Sequence, residues 1–117
     1  MYEYRIKEIV KVIDGDTVDV IIDLGFHTFV KKRIRLYGID TPETRTRDKA
    51  EKIKGLEAKK KLCDLCDATV NNTEAPLILK SYGVGKYGRV LGELISAQVN
   101  FNKVLVAEGY AEEYYGK

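Results

Sequence analysis

The stretch VIDGDTVDVIID (residues 12–23) decides the fold, because an Asp-Gly pair separates two runs of β-branched residues. Asp14-Gly15 in this position is typical of a tight β-hairpin turn. Val and Ile fit the pleated, half-buried surface of a sheet. The pattern predicts a first strand over residues 4–13 and a second over residues 17–23.

The hairpin extends into a three-stranded meander. Leu24-Gly25 marks a second turn, and residues 26–39 are expected to form the third strand, which carries the basic run KKRIR (31–35). Pro42 ends that strand, because proline has no amide hydrogen to donate to a neighbouring strand. The first half of the chain is therefore predicted to be an antiparallel sheet.

The segment after the meander changes its pattern twice. Residues 44–55, TRTRDKAEKIKG, are almost all polar and are expected to form a mobile surface loop. Residues 56–69 have a helical period, with one apolar face made of Ala58, Leu62, Leu65, Cys66 and Thr69. Asn71-Asn72 is expected to stop this helix.

The remaining segments complete a small barrel. Residues 77–82 and 89–95 are predicted strands on either side of the Gly-rich GVGKYG. A last helix is expected to begin at Asn100 or Asn102 and to end before Gly109. The fold class is thus α+β and mainly β: one domain over residues 1–117, a five-stranded OB-fold barrel with a long helix after strand 3 and a shorter C-terminal helix.

The composition excludes several classes of protein. The 117 residues are 44% hydrophobic and 32% charged, which is typical of a globular fold and not of a disordered chain. No apolar run approaches the roughly 18 residues of a membrane span, so no membrane partner is expected. Two Cys and one His favour neither a disulfide framework nor a zinc site. The first residues lack a leader pattern, and with two free thiols an intracellular location is expected, or secretion if a leader has been removed.

Acidic residues occur at two corners of the predicted sheet. Asp14 and Asp16 flank the first turn, while Asp40 and Glu43 flank Pro42. Pairing of the second and third strands would bring these corners together. Two carboxylates with a backbone carbonyl and water suit a hard cation, Ca²⁺ first, with Mg²⁺ or Mn²⁺ also possible.

Two arginines accompany these acids. Arg35 precedes Asp40 by five positions, which would place it on the opposite face unless a bulge, for example at Gly38, restores a shared pocket. Arg89 follows the Gly-rich connection. A guanidinium group holds phosphate with two hydrogen bonds, and Glu43 would orient or deprotonate water. Such a set suits in-line attack on a phosphodiester.

Plainer interpretations exist for several of these residues. Asp-Gly pairs are common in turns that bind no ligand. Arg35 and Arg89 would each form only a surface ion pair with an Asp or Glu. Cys63 and Cys66 form a CxxC in mid-helix, which favours packing over redox or zinc chemistry. Tyr37 is expected in the core or a wall, and the lysines at 59–61 on a solvated helix face.

Three strings in order resemble the staphylococcal nuclease (thermonuclease) family: VIDGDTV (12–18), RIRLYGIDTPET (33–44) and GKYGRVLGEL (85–94), with GLEA (55–58) at the start of the long helix. The resemblance covers about residues 5–115. It implies an OB-fold monomer that cleaves DNA and RNA in a calcium-dependent reaction, with little sequence specificity. Single-stranded or fraying substrate would be preferred, and 3′-phosphate ends would remain.

The resemblance also implies residue roles. The Ca²⁺ ligands would be two carboxylates and one backbone carbonyl, from Asp16, Asp40 and Thr41. The groups acting on the scissile phosphate would be two arginines and a general base or water-positioning carboxylate, namely Arg35, Arg89 and Glu43. The neighbouring phosphate, sugar and base would meet Lys86, Tyr87 and Tyr115.

Two features depart from the family pattern. Glu112 and Glu113 put negative charge near Tyr115, and residues 44–55 match no family segment. The alternative function is a noncatalytic OB-fold module that binds single-stranded nucleic acid, as nuclease-like domains without the charged residues do, and a protein-interaction domain is a third. Retention of all five charged site residues favours the nuclease.

Overall fold

Two strands around the Asp-Gly turn begin the sheet, and the prediction of this hairpin is confirmed. In the computed structural model, which describes residues 2–70 and 75–115, β1 (Tyr2–Asp14) pairs antiparallel with β2 (Thr17–Asp23). Gly15 in the turn does not adopt a positive φ. A Cβ added there would lie 2.6 Å from the Cβ of Ala58. Gly15 thus permits a close approach between the hairpin and the following helix.

The third strand is shorter than predicted at both ends. β3 (Phe29–Leu36) pairs antiparallel with β2. The expected start at residue 26 is wrong, because Phe26 and His27 have φ values of 57° and 59° and belong to the preceding turn. At the other end, Gly38 has a φ of 80° and separates β3 from β4 (Ile39–Asp40).

The long helix begins earlier than predicted. α1 spans Lys49–Val70, so the expectation that all of 44–55 is a loop is wrong. The Asp48 carboxylate accepts hydrogen bonds from the amides of Ala50 (3.0 Å) and Glu51 (3.2 Å), which caps the helix there. The predicted apolar face is confirmed in its buried members, Ala58, Leu62 and Cys66, while Leu65 and Thr69 are partly buried. The predicted stop at Asn71-Asn72 lies outside the described residues.

The second half follows the predicted order with shifted bounds. β5 (Ile78–Val84), a 3-10 turn (Lys86–Gly88) and β6 (Val90–Ser96) are followed by β7 (Val99–Asn100) and α2 (Phe101–Ala107). Asn100 is the N-cap of α2; its side chain accepts from the amide of Lys103. A short β8 (Glu112–Glu113) pairs with β4.

A parallel pairing closes the barrel. The strands lie in the order β3-β2-β1-β5-β6-β7, and β3 also pairs with β6. The prediction of an OB-fold-like barrel with five main strands is thus confirmed. Its core is apolar, and its largest fully buried side chains include Phe101, Ile34, Leu36, Leu62, Leu79, Leu94 and Leu105. At the seam, Arg35 is the Cα partner of Leu91. Closure therefore places Arg35 beside Leu91, two residues after Arg89.

No helix within residues 2–70 and 75–115 is long and apolar enough to cross a membrane.

Candidate active site

Asp16 lies at the centre of the polar network beside the seam. The residue is buried, with only 8% of its surface exposed. Its Oδ1 accepts from the Thr17 hydroxyl at 3.0 Å, and its Oδ2 accepts from the Thr41 amide at 3.1 Å. Its carbonyl accepts from the Leu36 amide at 2.8 Å. The two acidic corners predicted from the sequence do meet, and backbone groups hold them together.

Arg35 connects the two corners. Its Nη1 donates to the carbonyls of Leu36 and Ile39, both at 2.9 Å, and lies 3.4 Å from Oδ2 of Asp16. Its Nη2 lies 3.4 Å from Oδ1 of Asp40. Arg35 and Asp40 thus lie in contact although they are five positions apart, because the strand break at Tyr37–Gly38, rather than a bulge, turns them toward each other. Arg35 does form ion pairs, with Asp16 and Asp40, but its side chain is largely buried and not on the open surface.

Part of the Arg35 guanidinium group is still available to a ligand. The contacts above use both Nη1 hydrogens and one Nη2 hydrogen. Within the described part of the chain, the Nε hydrogen and the second Nη2 hydrogen have no acceptor. A guanidinium group has five N–H donors in a fixed fork. The side chain, 16% exposed, therefore presents two donors that can hold an anion.

The carboxylates around Arg35 outnumber the nearby cations. Burial raises the pKa of Asp40 above its ordinary value, and the charge of Asp16 raises it further, while Arg35 opposes the shift. Burial also raises the pKa of Glu43, followed by repulsion from Asp14, Asp16 and Asp40. Crowded carboxylates with raised pKa values mark a place where additional positive charge would be stabilising.

The groups around Asp16 offer oxygen and no sulfur or imidazole. Thr41 is buried, and its Oγ1 has no hydrogen-bond partner among the described residues. In residues 2–70 and 75–115, no three His, Cys, Asp or Glu side chains are grouped so that they could hold a metal ion. The carboxylates of Asp16 and Asp40 are thus only two charged ligands. Completed by neutral oxygens, this donor set fits an oxygen-binding cation and does not fit zinc.

A cationic cavity of about 430 Å³ adjoins Arg35. Lys86, Arg89 and Tyr115 line it as well. Arg89 is half-buried, and its Nε lies 3.4 Å from the Lys86 carbonyl. No carboxylate of the described residues lies within ion-pair distance of Arg89, so the plain ion-pair interpretation has no support there. The structure brings Arg35, Lys86 and Arg89 around one cavity.

The two predicted aromatic contacts differ in position. Tyr87 is 92% exposed, has a φ of 61°, and does not line the cavity. Its ring centroid lies 5.7 Å from the Arg89 guanidinium carbon. The Tyr115 ring packs edge-on against Tyr37 at 5.6 Å between centroids. A Cβ at Gly38 would lie 2.6 Å from the Tyr115 ring, so glycine allows this packing.

Tyr37 occupies the wall position that was expected of it. Its ring stacks on that of Tyr82 with centroids 4.4 Å apart. The Tyr82 hydroxyl donates to Oε1 of Glu93 at 2.6 Å, and this bond raises the Tyr82 pKa to about 12. Oε2 of Glu93 in turn accepts from the Asn100 side chain at 3.0 Å. The wall beneath Tyr115 is therefore fixed by hydrogen bonds.

Sequence reasoning missed three contributors to the acidic side of the site. Oε2 of Glu51 accepts from the Glu43 amide at 3.2 Å. The spacing Asp48-x-x-Glu51 is a capping-box pattern that would have revealed the helix start. Glu112 is the Cα partner of Asp40 through the β4–β8 pairing, and no local signal predicts that pairing. The Thr44 hydroxyl donates to Oδ1 of Asp14.

The remaining candidates have structural roles. Cys66 is buried in the core, and burial raises its thiol pKa to about 12. Cys63 is partly buried and packs against the same core, so both side chains contribute to packing as expected. Lys60 and Lys61 form ion pairs with Asp64 (3.2 Å) and Glu108 (3.0 Å).

Comparisons with known proteins place this geometry in context. Residues 33–117 match the family model described as "Staphylococcal nuclease homologue". The chain is also similar to "Micrococcal nuclease" of Shigella flexneri, with 32% identity over 121 aligned positions. That alignment covers 94% of this chain and 60% of the relative. The chain thus spans less than two thirds of the length of the relative it matches.

Proposed function

The chain belongs to the staphylococcal nuclease homologue family, and on that premise we propose that it hydrolyses phosphodiester bonds of DNA and RNA with little sequence specificity. One observation carries the proposal. Arg35, linked to both Asp16 and Asp40, faces a cavity that it shares with Arg89 and keeps two donors free.

The two arginines are proposed to hold the scissile phosphate. Arg89 has no carboxylate partner in the described residues, so its charge is available to an anion. Arg35 is rigid, because three of its hydrogens are bound to the protein. Preorganised donors stabilise the charge that builds up on phosphorus oxygens in the transition state. Their fork geometry also suits bidentate phosphate binding.

Glu43 is the proposed general base or water-positioning group. It is exposed, and its raised pKa makes it a better proton acceptor than an ordinary carboxylate. A water oxygen would bond to phosphorus while the bond to the 5′ oxygen breaks. Glu43 would receive the water proton, and the leaving 5′ oxygen would take a proton from solvent. The products would carry 3′-phosphate and 5′-hydroxyl ends.

Calcium dependence is part of the proposal. The carboxylates of Asp16 and Asp40 and the carbonyl of Thr41 would hold the ion. Two observations support this: the donor set is oxygen alone, and the carboxylates near it are crowded. When bound, Ca²⁺ would supply positive charge beside the phosphate oxygens.

Single-stranded or fraying nucleic acid is the proposed substrate of a monomeric enzyme. Lys86 lies at the cavity and would meet the next phosphate. The exposed rings of Tyr115 and Tyr87 would contact base and sugar. Stacking on an aromatic ring requires an unpaired base, and each stacked base contributes about 1–3 kcal/mol.

The test is incubation of the purified protein with single-stranded DNA, with Ca²⁺ or with a chelator, followed by analysis of the new ends. We expect calcium-dependent cleavage that leaves 3′-phosphates, and loss of cleavage in an Arg89→Ala preparation purified in the same way. This variant excludes a contaminating nuclease. Binding without cleavage under all conditions would instead favour the noncatalytic single-strand-binding module.

A further inference from the structure

The basic run KKRIR lies on β3, and Arg35 accounts for only one of its residues. On this strand Ile34 and Leu36 are buried in the barrel core and Val30 is partly buried, whereas the remaining even-numbered residue, Lys32, is exposed. The odd-numbered residues face outward, because side chains alternate along a strand. Phe29, Lys31, Arg33 and Arg35 therefore form one outward line, the β3 row, about 20 Å long. The site described above lies at one end of it.

The β3 row carries three cationic side chains, Lys31, Arg33 and Arg35, and two of them have carboxylate partners. Arg33 is half-exposed and forms two hydrogen bonds with Asp19, at 2.8 and 3.1 Å, so Asp19 is already neutralised. Lys31 is exposed and forms no ion pair among the described residues. The bond from Arg33 lowers the Asp19 pKa, and Lys31 and Lys11 lower it further, so all three cations lie around this one carboxylate.

An aromatic ring stands at the far end of the row. Phe29 is 42% exposed, and the Lys7 ammonium lies 4.1 Å from its ring centroid. Proteins that bind single strands without sequence preference combine a cationic path for phosphates with aromatic rings for bases. The β3 row contains both parts in line with Arg35.

Edge protection is the plain alternative for these charges. β6 pairs with β3 only at residues 34–36, so in the described structure the rest of that β3 edge has no strand partner. Lysines on an open edge discourage pairing with another chain. Edge protection would be satisfied by charges at any position along the edge. It does not explain why the charges lie in line with Arg35, or why an exposed aromatic ring stands at the end of that line.

We propose that the β3 row is a binding track for a single nucleic-acid strand that extends beyond the cleaved bond. Phosphates contact Lys31 and Arg33, and a base stacks on Phe29. The inference rests on the proposed nuclease function and adds a substrate class: strands of at least about four nucleotides, within the range that one OB-fold binds.

The first test is salt-dependent binding of a fluorescent single-stranded oligonucleotide of about 16 nucleotides, measured by anisotropy in chelator. For single strands, each phosphate contact contributes about −0.7 to the slope of log K against log salt. Lys31→Gln should make the slope shallower by about 0.7, and Lys31→Glu should weaken binding further. Lys60→Gln is the matched control, with the same change of net charge on α1, and should keep the wild-type slope.

The second test separates the track from the proposed function. With Ca²⁺, the ratio of kcat/KM for the long oligonucleotide to that for a dinucleotide should fall several-fold in Lys31→Gln. If the wild type cleaves neither substrate but its slope of log K against log salt is steeper than that of Lys31→Gln, the nuclease function is refuted and the binding track is supported. Equal slopes for Lys31→Gln and Lys60→Gln would refute the track. If Lys31→Gln self-associates while its salt slope stays that of the wild type, the charges protect the β3 edge, and the binding track is refuted.

Discussion

The backbone amide of Thr41 donates a 3.1 Å hydrogen bond to Oδ2 of Asp16, which lies 25 positions earlier in the chain. This bond joins the first hairpin turn to the end of the meander. It also leaves the Thr41 hydroxyl buried without a partner in the described residues. The Asp16 carboxylate is thus oriented by a backbone amide as well as by the Thr17 hydroxyl and Arg35.

The two arginines should respond differently to removal. Arg89→Ala should lower kcat by about 10²–10³, the usual loss for one transition-state donor, with an unchanged melting temperature. Arg35→Ala should lose activity and also stability, because it leaves buried Asp16 without its cation and removes one hydrogen bond from each of two carbonyls. Steady-state kinetics and thermal unfolding of both variants check this. If Arg35→Ala melts at the same temperature as Arg89→Ala and wild type, Arg35 has no structural role.

Glu43→Gln should retain nucleotide binding and lose most of its turnover, because the amide cannot accept the water proton. Glu57→Gln on the exposed side of α1 is the matched control and should behave as wild type. Anisotropy measures binding, and single-turnover cleavage measures the chemical step. If Glu43→Gln cleaves at the wild-type rate, Glu43 has no part in the reaction.

Gly55 should tolerate alanine poorly although it lies inside a helix. Alanine normally stabilises a helix interior by about 1 kcal/mol over glycine. Here a Cβ would lie 2.4 Å from the Glu43 carbonyl oxygen, so the loop must shift. We expect Gly55→Ala to lower the free energy of unfolding by about 1–3 kcal/mol and to reduce activity.

The control for this clash is Gly25→Ala. Gly25 has a φ of 84° and open space around its Cβ position, so alanine there introduces backbone strain alone. It should lower stability in urea unfolding and leave activity unchanged. A stabilised Gly55→Ala variant would contradict the close approach of α1 to Glu43.

Tyr82 should titrate near pH 12. Its pKa is raised above the ordinary 10 chiefly because its hydroxyl donates to Glu93. A raised pKa favours the protonated form in the folded state, so this contribution to stability is complete below about pH 10 and is lost as the pH rises through about 12.

The difference in tyrosinate absorbance between wild type and Tyr82→Phe measures this titration. The difference in unfolding free energy between the two proteins should stay constant below the ordinary tyrosine pKa and shrink above it. A Tyr82 transition at the ordinary pKa would show that the bond to Glu93 is absent in solution.

Local patterns accounted for the elements and for the chemistry of their residues. The Asp-Gly pair with β-branched flanks predicted the hairpin, and helical spacing predicted the buried face of α1. The start of α1 was missed because the polar composition around it concealed the cap formed by Asp48. Helix propensity is averaged over a whole segment, whereas the first residue of a helix can be set by one capping side chain.

By itself, the sequence determined which side chains each strand presents and which charged groups are available to a site, because alternation and turn chemistry are local properties. The tertiary structure decided which of those groups meet. The turn at Gly38 aims Arg35 at Asp40, the β3–β6 pairing closes the barrel so that Arg35 and Arg89 line one cavity, and the β4–β8 pairing places Glu112 opposite Asp40. These contacts depend on the register and closure of distant segments, which no local pattern encodes.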